Sequence, residues 1–226
     1  MAQVSKPKGS PSIDMTPMVD LAFLLVTFFM LSANFRSDEI VQVDTPSSIS
    51  ERLIPEKTIM VTVDKGGRVF FGMSEKEDVK TKVLGYMMDK YKFKLTQKQV
   101  ETFGTLTDFG CAVNELPAYL DLPSEGRQEF VAKGKTLGIP TDSTNNQLKD
   151  WIFYGNIAAL ASGEEKYFDA KAKGLVVEVN DYKPKFVLKA DGKSVYLHAK
   201  KVVDIFRDLN LNNLNFITSM EADPRN

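Results

Sequence analysis

The sequence predicts a single N-terminal transmembrane helix plus an α/β (α+β) domain, a two-layer sheet/helix sandwich with a mainly helical insertion. Three observations predict it. An apolar run of 21 residues extends from Met15 to Phe35. A β-branched hairpin, Thr58 to Gly72, opens the rest of the chain. A strand–helix–strand unit, Phe186 to Ser219, closes it.

As a helix, the 21 residues from Met15 to Phe35 rise about 31 Å. That is close to the hydrocarbon core of a bilayer, roughly 30 Å thick. Pro17 falls in the first turn, where its missing N–H costs little. Phe23, Phe28, Phe29 and four leucines supply the insertion energy. A cleaved signal peptide is the rival reading. Against it, an acid stands at the start of the apolar stretch, and Leu31-Ser32-Ala33 is a poor small-x-small cleavage site. Lys6 and Lys8 precede the span, and Arg36 follows it together with Asp38 and Glu39. Lys and Arg weigh most in topology, so the N-terminus is expected in the cytoplasm and the domain across the membrane. The expected organisation is a disordered tail over 1–13, the helix over 14–35, a linker over 36–57 and a domain over 58–226. Within that domain, 73–184 is the insertion.

Composition narrows the function. A mean hydropathy of −0.20 leaves most of a 226-residue chain water-soluble. Net charge is −1, so no bulk basic surface argues for nucleic acid or polybasic lipid binding. Cys111 and His198 are the only residues of their types, which excludes an intrachain disulfide and argues against a structural zinc site. No Asp-Asp, His-Glu-His or Ser-His set has useful spacing, so no catalytic residue and no metal is expected.

Asp20 is the exception inside the apolar run. A charged Asp at a helix centre costs about 2.5–3.5 kcal/mol on insertion scales, and less near an interface. One reading places Asp20 shallow enough to reach headgroup water. The other places it on an ion or proton pathway, facing a bundle interior or watered cavity. Thr16, Asp20, Thr27 and Asn34 follow at spacings of 4, 7 and 7 residues and fall on one helical face. Leu25, Phe29 and Val26 take the other side. Such a polar stripe is unfavourable toward lipid and useful against other helices or a pore lining.

The residues now carry a resemblance. Asp14-Met15-Thr16-Pro17-Met18-Val19-Asp20, the apolar run behind it, and Val41 to Ser48 are similar to the ExbD/TolR biopolymer-transport family. The likeness continues in Thr58 to Gly72, "TIMVTVDKGGRVFFG", and resumes in Lys185 to Glu221. Thr45-Pro46 stands where the family has a Leu-Pro-like turn. The resemblance implies a single-pass protein of the bacterial inner membrane with a periplasmic domain. It implies a pair of such helices, one from a second copy of the chain, inside the pore of a multi-span pentamer of the ExbB/TolQ type. It implies protons as the coupling ion, no other cofactor, and transmission to a TonB- or TolA-like protein that acts on the outer membrane. The family's membrane acid carries over to Asp20 and its helix-entry proline to Pro17.

Proton switching of this kind has a physical basis. Desolvation disfavours a charged carboxylate, so apolar surroundings favour the neutral form. One elementary charge crossing 100 mV releases about 2.3 kcal/mol, comparable to the cost of holding the charge in the apolar layer. A passive alternative remains, in which the helix only tethers a periplasmic binding or scaffold module.

In the domain, Lys65-Gly66-Gly67 turns the hairpin, and Ala199 to Leu209 has a helical apolar face. A strand–helix–strand unit implies a parallel strand pair. In the insertion, Ser74 with Glu77 reads as a capping box for a helix through Lys92, and Thr96 with Gln99 opens a second. Thr144 to Ala161 reads as a third helix, with Leu148, Ile152 and Ile157 among its buried candidates. Trp151, Phe153 and Tyr154 read as core or as a binding patch. Val41, Val43 and Pro46 form an extended stretch with unpaired backbone groups. It is expected to dock as an added strand in one motor state and to be free in another.

Overall fold

The structure is a computed structural model that describes residues 15–32, 47–48, 57–191, 196–211, 213–217 and 219–220. The chain divides into two units, 1–37 and 38–226. In the first, α1 covers Thr16–Ser32.

The second unit begins with β1 (Ser47–Ser48), β2 (Thr58–Val63) and β3 (Val69–Met73). Helices α2 (Glu77–Tyr91) and α3 (Gln97–Thr105) follow, then β4 (Asp108–Phe109). Next come α4 (Leu116–Leu120), α5 (Ser124–Ala132) and the small strands β5 (Thr141–Asp142) and β6 (Asn145–Asn146). The long helix α6 (Gln147–Ala172) leads to a 3₁₀ turn at Val179–Tyr182. The chain closes with β7 (Lys185–Ala190), α7 (Tyr196–Asp208), β8 (Leu214–Ile217) and β9 (Ser219–Met220).

A mixed five-stranded sheet organises the unit, in the order β4-β3-β2-β7-β8. β2 and β3 form the expected antiparallel hairpin, Val63 opposite Val69. Its turn is held by Asp64, whose Oδ1 accepts from the amides of Gly66 and Arg68 while Oδ2 accepts from Arg68 Nε. Gly67 has φ +77 and faces the ring of His198, so a Cβ there is blocked twice over. β7 lies parallel to β2, with Ile59 opposite Phe186, and β8 lies parallel to β7. The parallel pair implied by the last strand–helix–strand unit is therefore present.

Every residue of β2 is buried. Ile59, Val61 and Val63 face the main core, and the alternate residues Thr58, Met60 and Thr62 are covered too. This explains the weak alternation in the sequence: a strand covered on both faces needs no polar side. Phe70 lies on the Thr62 face by register, and the chain at Gly110 crosses it so closely that a Cβ would come within 2.0 Å of the ring. A strictly two-layer sandwich is thus too simple for the centre of this sheet.

The main core joins the sheet to α2, α3, α6 and α7 through Val83, Leu84, Phe103, Ile152 and Phe206. Trp151 is its largest wholly buried side chain. The rings of Phe109, Phe103 and Phe71 surround it at 4.8, 5.8 and 5.9 Å. Asp150 accepts from Tyr91 Oη at 2.7 Å and pairs with Lys90, locking α2 to α6. Burial, then the hydrogen bond to Asp150, pushes the Tyr91 phenol up.

Three helix starts test the local reading. Thr96 and Gln99 form the expected capping box at α3. Ser74 does not cap α2; its amide donates to Thr58 O and continues the β2–β3 ladder, so the helix begins after Lys76. Thr144 does not open α6 either. It lies in the turn between β5 and β6, and Asn146 caps the helix by accepting from the Lys149 amide. α6 then runs on to Ala172, well past the expected end at Ala161. Leu148 and Ile152 are buried, whereas Ile157 is 38% exposed. Trp151 is core, and Phe153 is exposed.

Cys111 is a buried core residue, and burial, followed by the nearby Glu115 charge, pushes its thiol up. A thiol-directed alkylating reagent is therefore expected to leave the folded chain unmodified and to label it on denaturation. Labelling of folded protein at the denatured rate contradicts this burial.

Candidate functional site

α1 begins at Thr16 with Pro17 as its second residue, where no intrahelical partner is lost. Asp20 is the one charged residue between Thr16 and Ser32, and its side chain is exposed. Met18, Val19, Leu21, Phe23, Leu24 and Leu25 around it are exposed as well. Thr16, Asp20 and Thr27 fall on one face at spacings of 4 and 7 residues. Thr27 is half-buried, and its hydroxyl donates to Leu24 O at 2.9 Å. Phe28 and Phe29 meet edge to face at 6.1 Å.

Among the described residues no helix is long and apolar enough to cross a membrane. α1 has 17 residues, about 26 Å at 1.5 Å each, where a span takes about 20. Met15 is not helical. Asp14 and residues 33–35, the rest of the expected span, lie outside the described residues, as does Asn34 of the polar stripe. The tail over 1–13 and the docking residues Val41, Val43 and Pro46 lie outside them too. Directly after Pro46, Ser47 and Ser48 pair in parallel with Ser219 and Met220.

A lone carboxyl on an apolar helix has two states with different needs. Neutral, it tolerates apolar surroundings; charged, it requires water or polar partners. No group of three or more His, Cys, Asp or Glu suited to a metal ion occurs among the described residues.

A second feature was missed in the sequence. α6 and the 3₁₀ turn enclose an apolar groove of about 330 Å³, lined by Leu160, Tyr167, Phe168, Val179 and Tyr182. Its residues are of the types found in cores, and two of them, Phe168 and Val179, are exposed.

The chain is thus an α+β protein preceded by an apolar helix that bears a single acid. Residues 6–103 match the family described as "Biopolymer transport protein ExbD/TolR", a match that supports an assignment to the ExbD/TolR family. The match takes in α1, the β2–β3 hairpin, α2 and most of α3. It includes residues 73–103, which the sequence reading placed in the insertion, and it does not include Lys185 to Glu221. No curated protein and no solved structure matches the chain.

Proposed function

We propose that this protein is the proton-responsive subunit of an inner-membrane motor. The family match over residues 6–103 supports a biopolymer-transport motor subunit rather than an enzyme. The observation that carries the finer reading is Asp20, the one ionisable group on an otherwise apolar helix. In this reading the helix spans the inner membrane, with the N-terminus cytoplasmic and the α+β domain periplasmic. Asp20 takes up and releases protons moving inward. Thr16 and Thr27 line the same face and offer polar contacts when the carboxyl is charged. The helix pairs with that of a second copy inside an ExbB/TolQ-like multi-span pentamer. A TonB- or TolA-like protein receives the motion, and TonB-dependent transport across the outer membrane is the process it energises. A TolR-like or gliding-type role uses the same machinery.

Membranes of the host carrying the tagged full-length chain test this reading. Mild detergent extraction is expected to recover a multi-span partner and a second copy of the chain. A periplasm-active reporter fused after Asn226 is expected to be active, and one fused after Pro11 silent. The reverse reporter pattern inverts the topology, and recovery of the chain with no multi-span partner removes the motor.

A further inference from the structure

Three separate segments meet at the turn between β2 and β3. His198, in the first turn of α7, lays its ring against Gly67, where a Cβ would lie 2.7 Å from it. The loop after α5 reaches the same turn. Arg68 Nη1 donates to Val131 O, and the Ile139 amide donates to Val69 O. Gly138 has φ +83 and sits so close that a Cβ would come within 2.6 Å of the Val69 nitrogen. All of this lies at the C-terminal end of β2, where Val63 pairs with both Val69 and Ala190.

The loop is pinned on its inner side. Thr136 is buried, and its hydroxyl donates to Gly110 O and accepts from the Gly138 amide. Its neighbours Lys135 and Leu137 are exposed, Leu137 by 89%. In the first turn of α7, Tyr196 is 78% exposed and Leu197 56%. The apolar side chains therefore protrude from a fixed surface.

The charge around them is unbalanced. Segments 64–68, 129–142 and 196–201 carry the bases Lys65, Arg68, Lys133, Lys135, Lys200 and Lys201 against three acids. Asp64 is buried against Arg68, Glu129 pairs with Lys133, and Asp142 is exposed. At the end of β7, Lys189 and the buried Asp191 offset each other. No acid stands in the first turn of α7. Lys200 and Lys201 lean toward that end, because helical side chains tilt toward the N-terminus. The chain as a whole has a net charge of −1, so the basic excess is local.

We infer that this end of the domain rests on the anionic phospholipid surface of a bilayer. Leu137, Tyr196 and Leu197 enter the interface, and the lysines stay at headgroup level on their apolar stems. Apolar side chains that protrude from different segments, with lysines beside them, suit a deformable surface that supplies both hydrocarbon and phosphate. Attraction of this kind acts within a Debye length and falls with salt. The inference does not rest on the motor reading.

The full-length chain in vesicles tests it, with a fluorophore on Leu197→Cys; the native Cys111 is buried. The control carries the fluorophore on Val176→Cys, also exposed, three residues before the 3₁₀ turn whose Tyr182 packs on Lys57 just ahead of β2. Nitroxide-labelled lipid in phosphatidylcholine vesicles containing phosphatidylglycerol is expected to quench the Leu197 site several-fold more than the Val176 site. Omitting phosphatidylglycerol, raising salt, or combining Lys135→Glu with Leu137→Asp is expected to bring the two sites level. Both substituted side chains are exposed, so an unchanged thermal melt accompanies that loss. Alkali-resistant flotation reads insertion by α1 separately. A chain that floats, yet is quenched no more at Leu197 than at Val176, overturns the inference. So does quenching indifferent to phosphatidylglycerol and salt. Shielding of Leu197 from aqueous iodide without lipid quenching marks a protein contact and overturns it as well.

Discussion

Asp20→Asn is expected to abolish energised transport while leaving membrane insertion and assembly intact. Asparagine keeps the size of the side chain and its capacity for hydrogen bonds, and it removes only the proton equilibrium. If the helix were a mere tether, losing that equilibrium would cost nothing, because a neutral side chain inserts at least as well as a charged one. If Asp20 carries protons, no other acid between Thr16 and Ser32 replaces it. The energy at stake is about 2.3 kcal/mol per charge per 100 mV, and the variant forfeits all of it. Asp20→Glu is expected to retain part of the activity at best, since one more methylene displaces the carboxyl along the face shared with Thr16 and Thr27. The measurement is energy-dependent uptake across the outer membrane in a strain whose only copy is the variant, with protein level and detergent-extracted assembly as controls. Uptake at the unsubstituted level would exclude the proton-carrier role and leave the passive tether standing.

The largest loss of stability is expected from Trp151→Ala. Trp151 is wholly buried among Phe71, Phe103 and Phe109, and it ties α6 to β3, β4 and α3. Truncating a core aromatic costs about 3–5 kcal/mol, which lowers the thermal midpoint of a domain this size by roughly 10 °C. The indole N–H works against that contribution, because Nε1 is buried with no hydrogen-bond partner among the described residues. An orphaned donor costs about 1–3 kcal/mol, less than the truncation of the ring removes. Trp151→Phe keeps an aromatic ring and removes the orphan, and it is expected to lose much less stability than alanine. Circular dichroism melts of the full-length chain measure both. An alanine variant that melts with the parent, or a phenylalanine variant that falls as far as alanine, contradicts this account of the core.

What could be read from the sequence was what is local. The hairpin announced itself through β-branched residues around Lys65-Gly66-Gly67, and α3 through a capping box whose two partners are three residues apart. Asp20 stood out because it is the one carboxylate inside the apolar run. Ser74 and Thr144 misled for one reason: each belongs to a strand or turn whose partner is set by tertiary contacts. Thr58 O claims the Ser74 amide, and the pairing of β5 with β6 holds Thr144 in a turn. The parallel pairing of β2 with β7 was out of reach because α2 to α6 separate the two strands in sequence. The groove was invisible for a subtler reason. Leu160, Tyr167 and Phe168 are the residue types of a core, and which side of a long helix remains uncovered is decided by the chain that returns past Gly163.

The parallel course of β2, β7 and β8 also bears on force. β2 begins at Thr58, while β8 ends at Ile217. In a parallel set those two points lie at opposite ends of the strands. Tension applied between them pulls along the strand axis and loads both ladders in shear. The evenly spaced bonds then share the load at once instead of parting one after another, so the sheet resists unravelling from those two points.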